Sequence, residues 1–145
     1  MPGDAPLVAE PAGRYARKPP LVIDCSVLAA VLFDEPERDA AALAMAGKEL
    51  FAPDLLDHEI VSVALKISAA GNAEIAERAL ADLDAIQLTR CSVDGEAQFR
   101  LAEQTGLTAY DAAYLRLALE LRAPLVTFDR KLGKAAKEIL AAEPD

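Results

Sequence analysis

The stretch that decides the interpretation of this chain is Leu21-Val22-Ile23-Asp24-Cys25-Ser26. Its first three residues are all apolar, a run too short for a helix and typical of a buried strand. Asp24 follows directly, and Ser26 stands where helical sequence begins. A carboxylate at this exit favours a ligand site, because ligands bind beyond the carboxyl ends of the strands in parallel sheets. The alternative is that Asp24 or Ser26 merely caps the next helix.

Short apolar runs alternate with helical segments through the rest of the chain. Further strands are predicted at residues 50–52, 86–91 and 125–128. Glycines and prolines punctuate the segments between them, and Gly71 and Gly106 each end a helix. Helices are predicted from about residue 26 and over residues 37–46, 54–70, 73–85, 94–104, 109–122 and 132–140. This alternation predicts an α/β sandwich around a mostly parallel sheet.

Composition limits the possible functions. The 145 residues suit one domain, and a hydrophobic share of 53% indicates a globular one. The net charge of −9 argues against a protein that coats nucleic acid through a basic surface, but not against an enzyme that meets phosphates through a metal. The single histidine, His58, excludes any metal site that needs two.

The chain also indicates where the protein resides. Cys25 and Cys91 do not form a disulfide framework, and there is neither a secretory signal nor an apolar run long enough to span a membrane. These features predict a cytoplasmic protein. Residues 1–20, with five of the nine prolines, are interpreted as a flexible tail, or else as a basic arm that touches RNA or a partner. The domain itself is predicted over residues 21–142, followed by a short tail at residues 143–145.

Two further acids lie at comparable places. Asp129 follows the apolar run 125–128, which includes the hydroxyl of Thr127. Asp111 lies near the start of a helix, where a turn of about 100° per residue places it above Leu115 and opposite Glu120. Asp111 therefore points inward. The alternatives are a cap at Asp129 and a capping box at residues 108–111.

Glu59 completes the set, although a solvated helix face explains it equally well. Four converging carboxylates repel one another, at a cost of about 4 kcal/mol per pair 4 Å apart for an effective dielectric constant of ~20. Such a cluster is typical of a site for a hard divalent cation, Mg²⁺ or Mn²⁺. A bound cation would also let an acidic pocket receive a phosphodiester.

Four segments carry a family resemblance. Each contains one of these acids, and they span residues 21–28, 52–59, 106–114 and 123–132. Their order and spacing resemble the PIN-domain ribonucleases, in particular the VapC toxins of toxin–antitoxin pairs. Residues 106–114 are the most specific match. The resemblance implies a PIN-like three-layer α/β/α sandwich with a short, mostly parallel central sheet.

The resemblance also implies an activity and partners. It implies metal-dependent endoribonuclease cleavage of RNA by the toxin of a type II toxin–antitoxin system, with a cognate antitoxin and a homodimer. The residues that match the catalytic and metal-binding acids are Asp24, Glu59, Asp111 and Asp129, with Ser26 and Thr127 as supporting hydroxyls. Ser62 departs from the pattern, since an Asn is frequent there, and Cys25 stands where a small residue such as Ala or Thr is common.

Other interpretations stay open. Arg130, Lys131 and Lys134 follow Asp129 and are predicted either as an RNA-backbone contact or as a plain basic helix face. A haloacid-dehalogenase-like phosphatase needs a second Asp where Ser26 stands. A non-catalytic protein-binding module on a PIN scaffold is the remaining alternative.

The partner surfaces can also be predicted. Apolar side chains on the helix at residues 54–70 are expected to serve a two-fold dimer. The side chains expected to lie outside the core and to be available for this contact are Ile60, Val63 and Ile67. The antitoxin is expected to direct an Arg or Lys toward Asp24, Glu59 and Asp111.

Overall fold

A computed structural model describes residues 18–142, together with Ala5, Leu7 and Ala9. Most of the proposed N-terminal tail, and all of residues 143–145, lie outside the described residues. The first strand begins at Pro20, and the carbonyl of Pro19 accepts a hydrogen bond from the Glu49 amide at 2.9 Å.

Four parallel strands form one sheet in the order β3-β2-β1-β4. They are β1 Pro20–Ile23, β2 Glu49–Pro53, β3 Thr89–Cys91 and β4 Leu125–Val126. The register places Val22 opposite both Phe51 of β2 and Leu125 of β4. The carboxyl ends of β1 and β4 are therefore neighbours, as the sequence predicted for the strands that precede Asp24 and Asp129.

Seven helices complete the described part of the chain. They are α1 Cys25–Leu32, α2 Arg38–Met45, α3 Leu55–Ala69, α4 Ala73–Ala85, α5 Gly95–Thr105, α6 Ala109–Leu121 and α7 Arg130–Ala142. Together with the parallel sheet they confirm the predicted α/β fold. No helix within residues 18–142 is long and apolar enough to cross a membrane.

The core lies where α6 packs on β1 and β2. Residues 21–23 of β1 are almost fully buried because β2 and β4 flank this strand in the sheet and helices cover it. Helix α6 is buried along most of its length, including Tyr114 and Leu115, so its inward stripe fixes the position of the acid at its start.

Two predicted strands were too long, and the predicted last helix was too short. Strand β4 ends at Val126, because the Thr127 side chain turns away to make hydrogen bonds at the sheet edge. Helix α7 begins at Arg130, two residues early, because Asp129 accepts the Leu132 amide at 3.0 Å and caps it. Strand β3 spans only Thr89–Cys91 of the predicted residues 86–91.

The predicted dimer surface on α3 was wrong in one residue. Ile60 is fully buried, because Leu56, Ile60 and Ala64 repeat at helical spacing and face the core. The side chains of Val63 and Ile67 are half-buried against that core. The large apolar side chains that α3 does expose are Val61 and Leu65, at 43% and 67%.

Candidate active site

Asp24 is the centre of the site. It ends β1 and is 5% exposed, the one buried charged side chain in residues 18–142. Its Oδ1 accepts hydrogen bonds from Ser26 Oγ at 2.7 Å and from the Val27 amide at 3.2 Å, and its Oδ2 accepts one from Thr127 Oγ1 at 2.5 Å. Asp24 therefore caps α1 and is also a buried carboxylate at the sheet edge, so the two interpretations are not exclusive.

The two supporting hydroxyls join the ends of β1 and β4. Ser26 Oγ accepts the Phe128 amide at 3.0 Å, and Thr127 Oγ1 accepts the Asp129 amide at 2.9 Å. Each hydroxyl thus donates to Asp24 while it accepts from the segment that carries Asp129. The position of Asp129 is tied in this way to that of Asp24.

Glu59 is held by a tyrosine from the core. Tyr114 Oη donates a hydrogen bond to Glu59 Oε1 at 2.5 Å, and Tyr114 is 1% exposed. This contact links α3 to α6 and half-buries the carboxylate, so a solvated face does not describe Glu59. The sequence reasoning missed the role of Tyr114. The available signal was its position three residues after Asp111, on the same inward stripe.

Asp111 lies half-buried at the start of α6. Its amide donates to Thr108 Oγ1 at 3.1 Å, which is the capping contact that the sequence predicted. Lys131 Nζ donates to the Gly106 carbonyl at 2.8 Å, in the loop before α6. The Lys131 ammonium thereby lies near enough to Asp111 to favour its charged form.

The carboxylates are electrostatic neighbours. Burial raises the pKa of Asp24, and the charge of Asp129 raises it further. Burial likewise raises the pKa of Glu59, to which the charges of Asp111 and Asp24 add. The pKa of Asp111 is raised by burial and then by Asp129 and Asp24. Asp24, Glu59 and Asp111 thus each lie in a poorly solvated position and within electrostatic reach of at least one other acid of the site.

These carboxylates do not form a ready-made ligand cluster. Among the described residues, no three His, Cys, Asp or Glu side chains are grouped so that they could hold a metal ion. Nor does any described Lys or Arg form an ion pair with one of the four acids. The raised pKa values of Asp24, Glu59 and Asp111 therefore come first from burial and then from neighbouring like charges, and no ion pair offsets either effect.

The donor set nevertheless suits a hard divalent cation. All four acids offer oxygen ligands, and a cation would remove the repulsion and favour the charged forms. Softer ligands contribute nothing: His58 is exposed, and burial, with the charges of Glu59 and Asp24, raises the pKa of the Cys25 thiol to about 12. The residues present therefore fit Mg²⁺ or Mn²⁺.

The remaining candidate residues are not hydrogen-bonded to any of the four acids. Arg130, Lys131 and Lys134 are exposed on the first turns of α7, beside Asp129. Ser62 is exposed on α3. Cys25 and Cys91 are both free thiols.

Comparison with known proteins identifies the family. The family model described as PIN domain matches residues 21–138, nearly the whole described chain. The chain belongs to the PIN domain family. The predicted resemblance is confirmed, and all four acids of this PIN domain lie within the matched residues.

Individual relatives carry more specific names. Ribonuclease VapC3 from Pyrobaculum aerophilum is 31% identical over 121 residues, 79% of this chain and 92% of the relative. Ribonuclease VapC9 from Mycobacterium tuberculosis is 32% identical over 115 residues, 78% and 88% of the two chains. The crystal structure of PAE2754 from Pyrobaculum aerophilum matches with a TM-score of 0.66 over 87% of this chain and 96% of that one. At 23% identity, that likeness concerns the fold alone.

Proposed function

We propose that this PIN domain is a Mg²⁺- or Mn²⁺-dependent endoribonuclease, the toxin of a type II toxin–antitoxin system. The observation that carries the proposal is the group of half-buried carboxylates around the buried Asp24, whose pKa values are raised and with which no described Lys or Arg forms an ion pair. The names of the VapC relatives support RNA as the substrate. A cytoplasmic location is part of the same proposal.

Each acid has a role that its contacts suggest. Asp24, Glu59, Asp111 and Asp129 would hold the ion. Bound there, a divalent ion supplies a water of lowered pKa and neutralises phosphodiester charge. The remaining contacts orient the acids: Ser26 and Thr127 fix both oxygens of Asp24, and Tyr114 fixes one oxygen of Glu59. Such hydrogen bonds to ligands normally tune a metal site.

The direct test is RNA cleavage by the purified chain with Mg²⁺ or Mn²⁺, and with EDTA as the control. Cleavage that needs the ion, is stopped by EDTA and is lost in Asp24→Asn supports the proposal. RNA left intact by freshly metal-loaded protein that is free of any partner would contradict it, and would favour the non-catalytic binding module.

An inhibitory partner follows from the same charges. We infer that the antitoxin directs an Arg toward Asp24, Glu59 and Asp111, because a guanidinium is always charged and binds carboxylates through two hydrogen bonds. The net charge of −9 would speed the approach of a basic segment. Mn²⁺ titration in the presence of the antitoxin's C-terminal peptide tests this: the peptide should weaken Mn²⁺ binding, and a peptide with its basic residues replaced should not.

A homodimer is also proposed, now on corrected residues. Val61 and Leu65 are exposed on α3 and offer the apolar surface that Ile60 does not. Light scattering should give twice the mass of one chain, and Leu65→Glu should return it to the mass of a monomer. The mass of a single chain for the unaltered protein at micromolar concentration would contradict the dimer.

A further inference from the structure

A groove of about 580 Å³ opens beside the carboxylate site. Thr127 and Asp129, which also belong to the site, line one part of it. The rest is lined by Phe128 and by residues of α7, namely Arg130, Gly133, Lys134, Lys137 and the one acid Glu138. The groove and the carboxylate site therefore share residues and are continuous. None of the interpretations above uses Phe128 or Lys137.

The groove differs in charge from the rest of the chain. Although the chain carries a net charge of −9, helix α7 holds four cations and a single acid, Glu138. Arg130, Lys134 and Lys137 recur at intervals of four and three residues, so they share one helix face. No described carboxylate forms an ion pair with any of them. This face is suited to polyanionic ligands.

Phe128 adds an aromatic surface to that charge. Its ring is 42% exposed, although the residue lies between Thr127 and Asp129 of the site. The backbone at Phe128 is held in place, because its amide donates to Ser26 Oγ at 3.0 Å. An exposed aromatic side chain on an anchored backbone, beside a row of cations, is a combination suited to single-stranded nucleic acid, through base stacking and phosphate contacts.

We propose that this groove binds an unpaired RNA segment next to the cleavage site, with one base stacked on Phe128 and phosphates on Arg130, Lys134 and Lys137. The inference rests on the proposed ribonuclease function and deepens it, because it names the side chains that hold the RNA beside the acids. The charge favours RNA over an antitoxin arm: the basic segment expected to neutralise the acids would be repelled by these cations.

The experiment measures RNA binding separately from cleavage. The full chain with Asp24→Asn is titrated against a fluorescein-labelled, short single-stranded RNA, and anisotropy is followed over a series of salt concentrations. Phe128→Ala should weaken binding about tenfold, the usual size of one stacking contact. Phe128→Tyr should restore it, whereas Phe128→Leu, which keeps an apolar side chain without the ring, should not.

The cations have a different signature. The double variant Lys134→Gln, Lys137→Gln should flatten the dependence of log affinity on log salt by roughly 0.7 per lost phosphate contact, which Phe128→Ala should leave unchanged. The matched controls are Phe99→Ala, an aromatic 61% exposed on α5, and Lys48→Gln, an exposed cation just before the amino end of β2, away from the carboxyl ends of the strands where the acids lie. A duplex of the same sequence should compete poorly.

Several outcomes overturn the proposal. If the groove variants bind RNA as well as the two controls do, the groove is not an RNA-binding site. If the duplex competes as well as the single strand, a base does not stack on Phe128. If the groove variants lose binding to an arginine-rich peptide while their RNA binding is unchanged, the groove belongs to a protein partner instead. The ribonuclease proposal can fail independently. If the protein never cleaves RNA but binds it through the groove, the groove proposal stands and the ribonuclease proposal is wrong.

Discussion

Two carboxylates on α3 lie two residues apart and meet opposite environments. Asp57 accepts two hydrogen bonds from the Arg90 guanidinium, with Oδ1 to Nη2 at 2.9 Å and Oδ2 to Nε at 3.0 Å. Arg90 also donates to the Leu88 carbonyl at 3.1 Å, so the pair joins α3 to β3. Glu59 faces the site instead, where a tyrosine hydroxyl takes the place of a cation.

The difference separates structural acids from functional ones. Where a carboxylate stabilises the fold, this chain supplies an arginine in bidentate geometry. Around Asp24 the described residues supply hydroxyls and amides, which orient a carboxylate without neutralising it. No described Lys or Arg forms an ion pair with these acids, and a metal ion or a partner's arginine are the two sources of positive charge proposed above.

The largest expected effect comes from Asp24. Asp24→Asn should abolish Mn²⁺ binding and reduce cleavage by at least about a hundredfold, because even residues that merely support a metal ligand cost ~10–100-fold. Calorimetry with Mn²⁺ and a cleavage assay measure the two effects. The matched control is Asp57→Asn, which removes the same charge from the paired acid and should leave both unchanged. Undiminished Mn²⁺ binding by Asp24→Asn would end the assignment.

Tyr114→Phe should have a smaller effect. Its hydroxyl lowers the pKa of Glu59, so its loss raises that pKa still further above the ordinary value. Metal ligands must be deprotonated, so the pH at which Mn²⁺ binding is half lost should move upward, and affinity at neutral pH should fall about tenfold. Tyr110→Phe, on a side chain 62% exposed, is the control. A pH dependence identical to that of the control would show that the hydroxyl does not support Glu59.

Asp57→Asn should change stability and nothing else. It weakens a half-exposed ion pair and should lower the free energy of unfolding by about 1 kcal/mol, the upper part of the range for such pairs. Denaturant unfolding measures this. The pair Asp34–Arg38, far more exposed, provides the comparison, and Asp34→Asn should cost less. A loss of cleavage in Asp57→Asn at unchanged stability would erase the distinction between the two acids of α3.

The smallest effect is a gain. Burial raises the folded-state pKa of Asp24 above the ordinary 3.8, so metal-free protein loses stability as the pH rises from there through the raised value. Asn does not titrate. Metal-free Asp24→Asn should therefore melt above the unaltered protein at neutral pH, and the difference should vanish below pH 3.8. If the variant melts at a lower temperature than the unaltered protein at neutral pH, the hydrogen bonds of the Asp24 carboxylate contribute more to stability than the burial of its charge costs.

The sequence predicts the fold better than the contacts of the site. Helix α4 was predicted with its observed bounds, because its apolar residues recur at helical spacing and Gly71 ends the helix before it. Strand β4 was not, since Thr127 and Phe128 have good strand propensity and only the contact with Asp24 draws them out of the ladder. Tertiary contacts of this kind override local preference.

The site shows the same division. Strand exits and helix starts identified Asp24, Asp111 and Asp129, because topology alone brings these positions to one edge. The environment of Glu59 could not be predicted, since it depends on a tyrosine 55 residues away. The sequence could not identify Arg90 as the partner of Asp57 for the same reason, because their pairing depends on the tertiary contact between α3 and β3.

The hydroxyl contacts between Asp24 and the β4 end have a consequence for protein synthesis. They span 103 residues in the Thr127–Asp24 contact and 102 in the Phe128–Ser26 contact. Until residues 127–129 have left the ribosome, a growing chain can hold Asp24 only through the local contacts from Ser26 and Val27. If the finished protein damages RNA, unfinished copies lack both Asp129 and the second anchor of Asp24, and the machinery that makes them meets the whole site only in complete molecules.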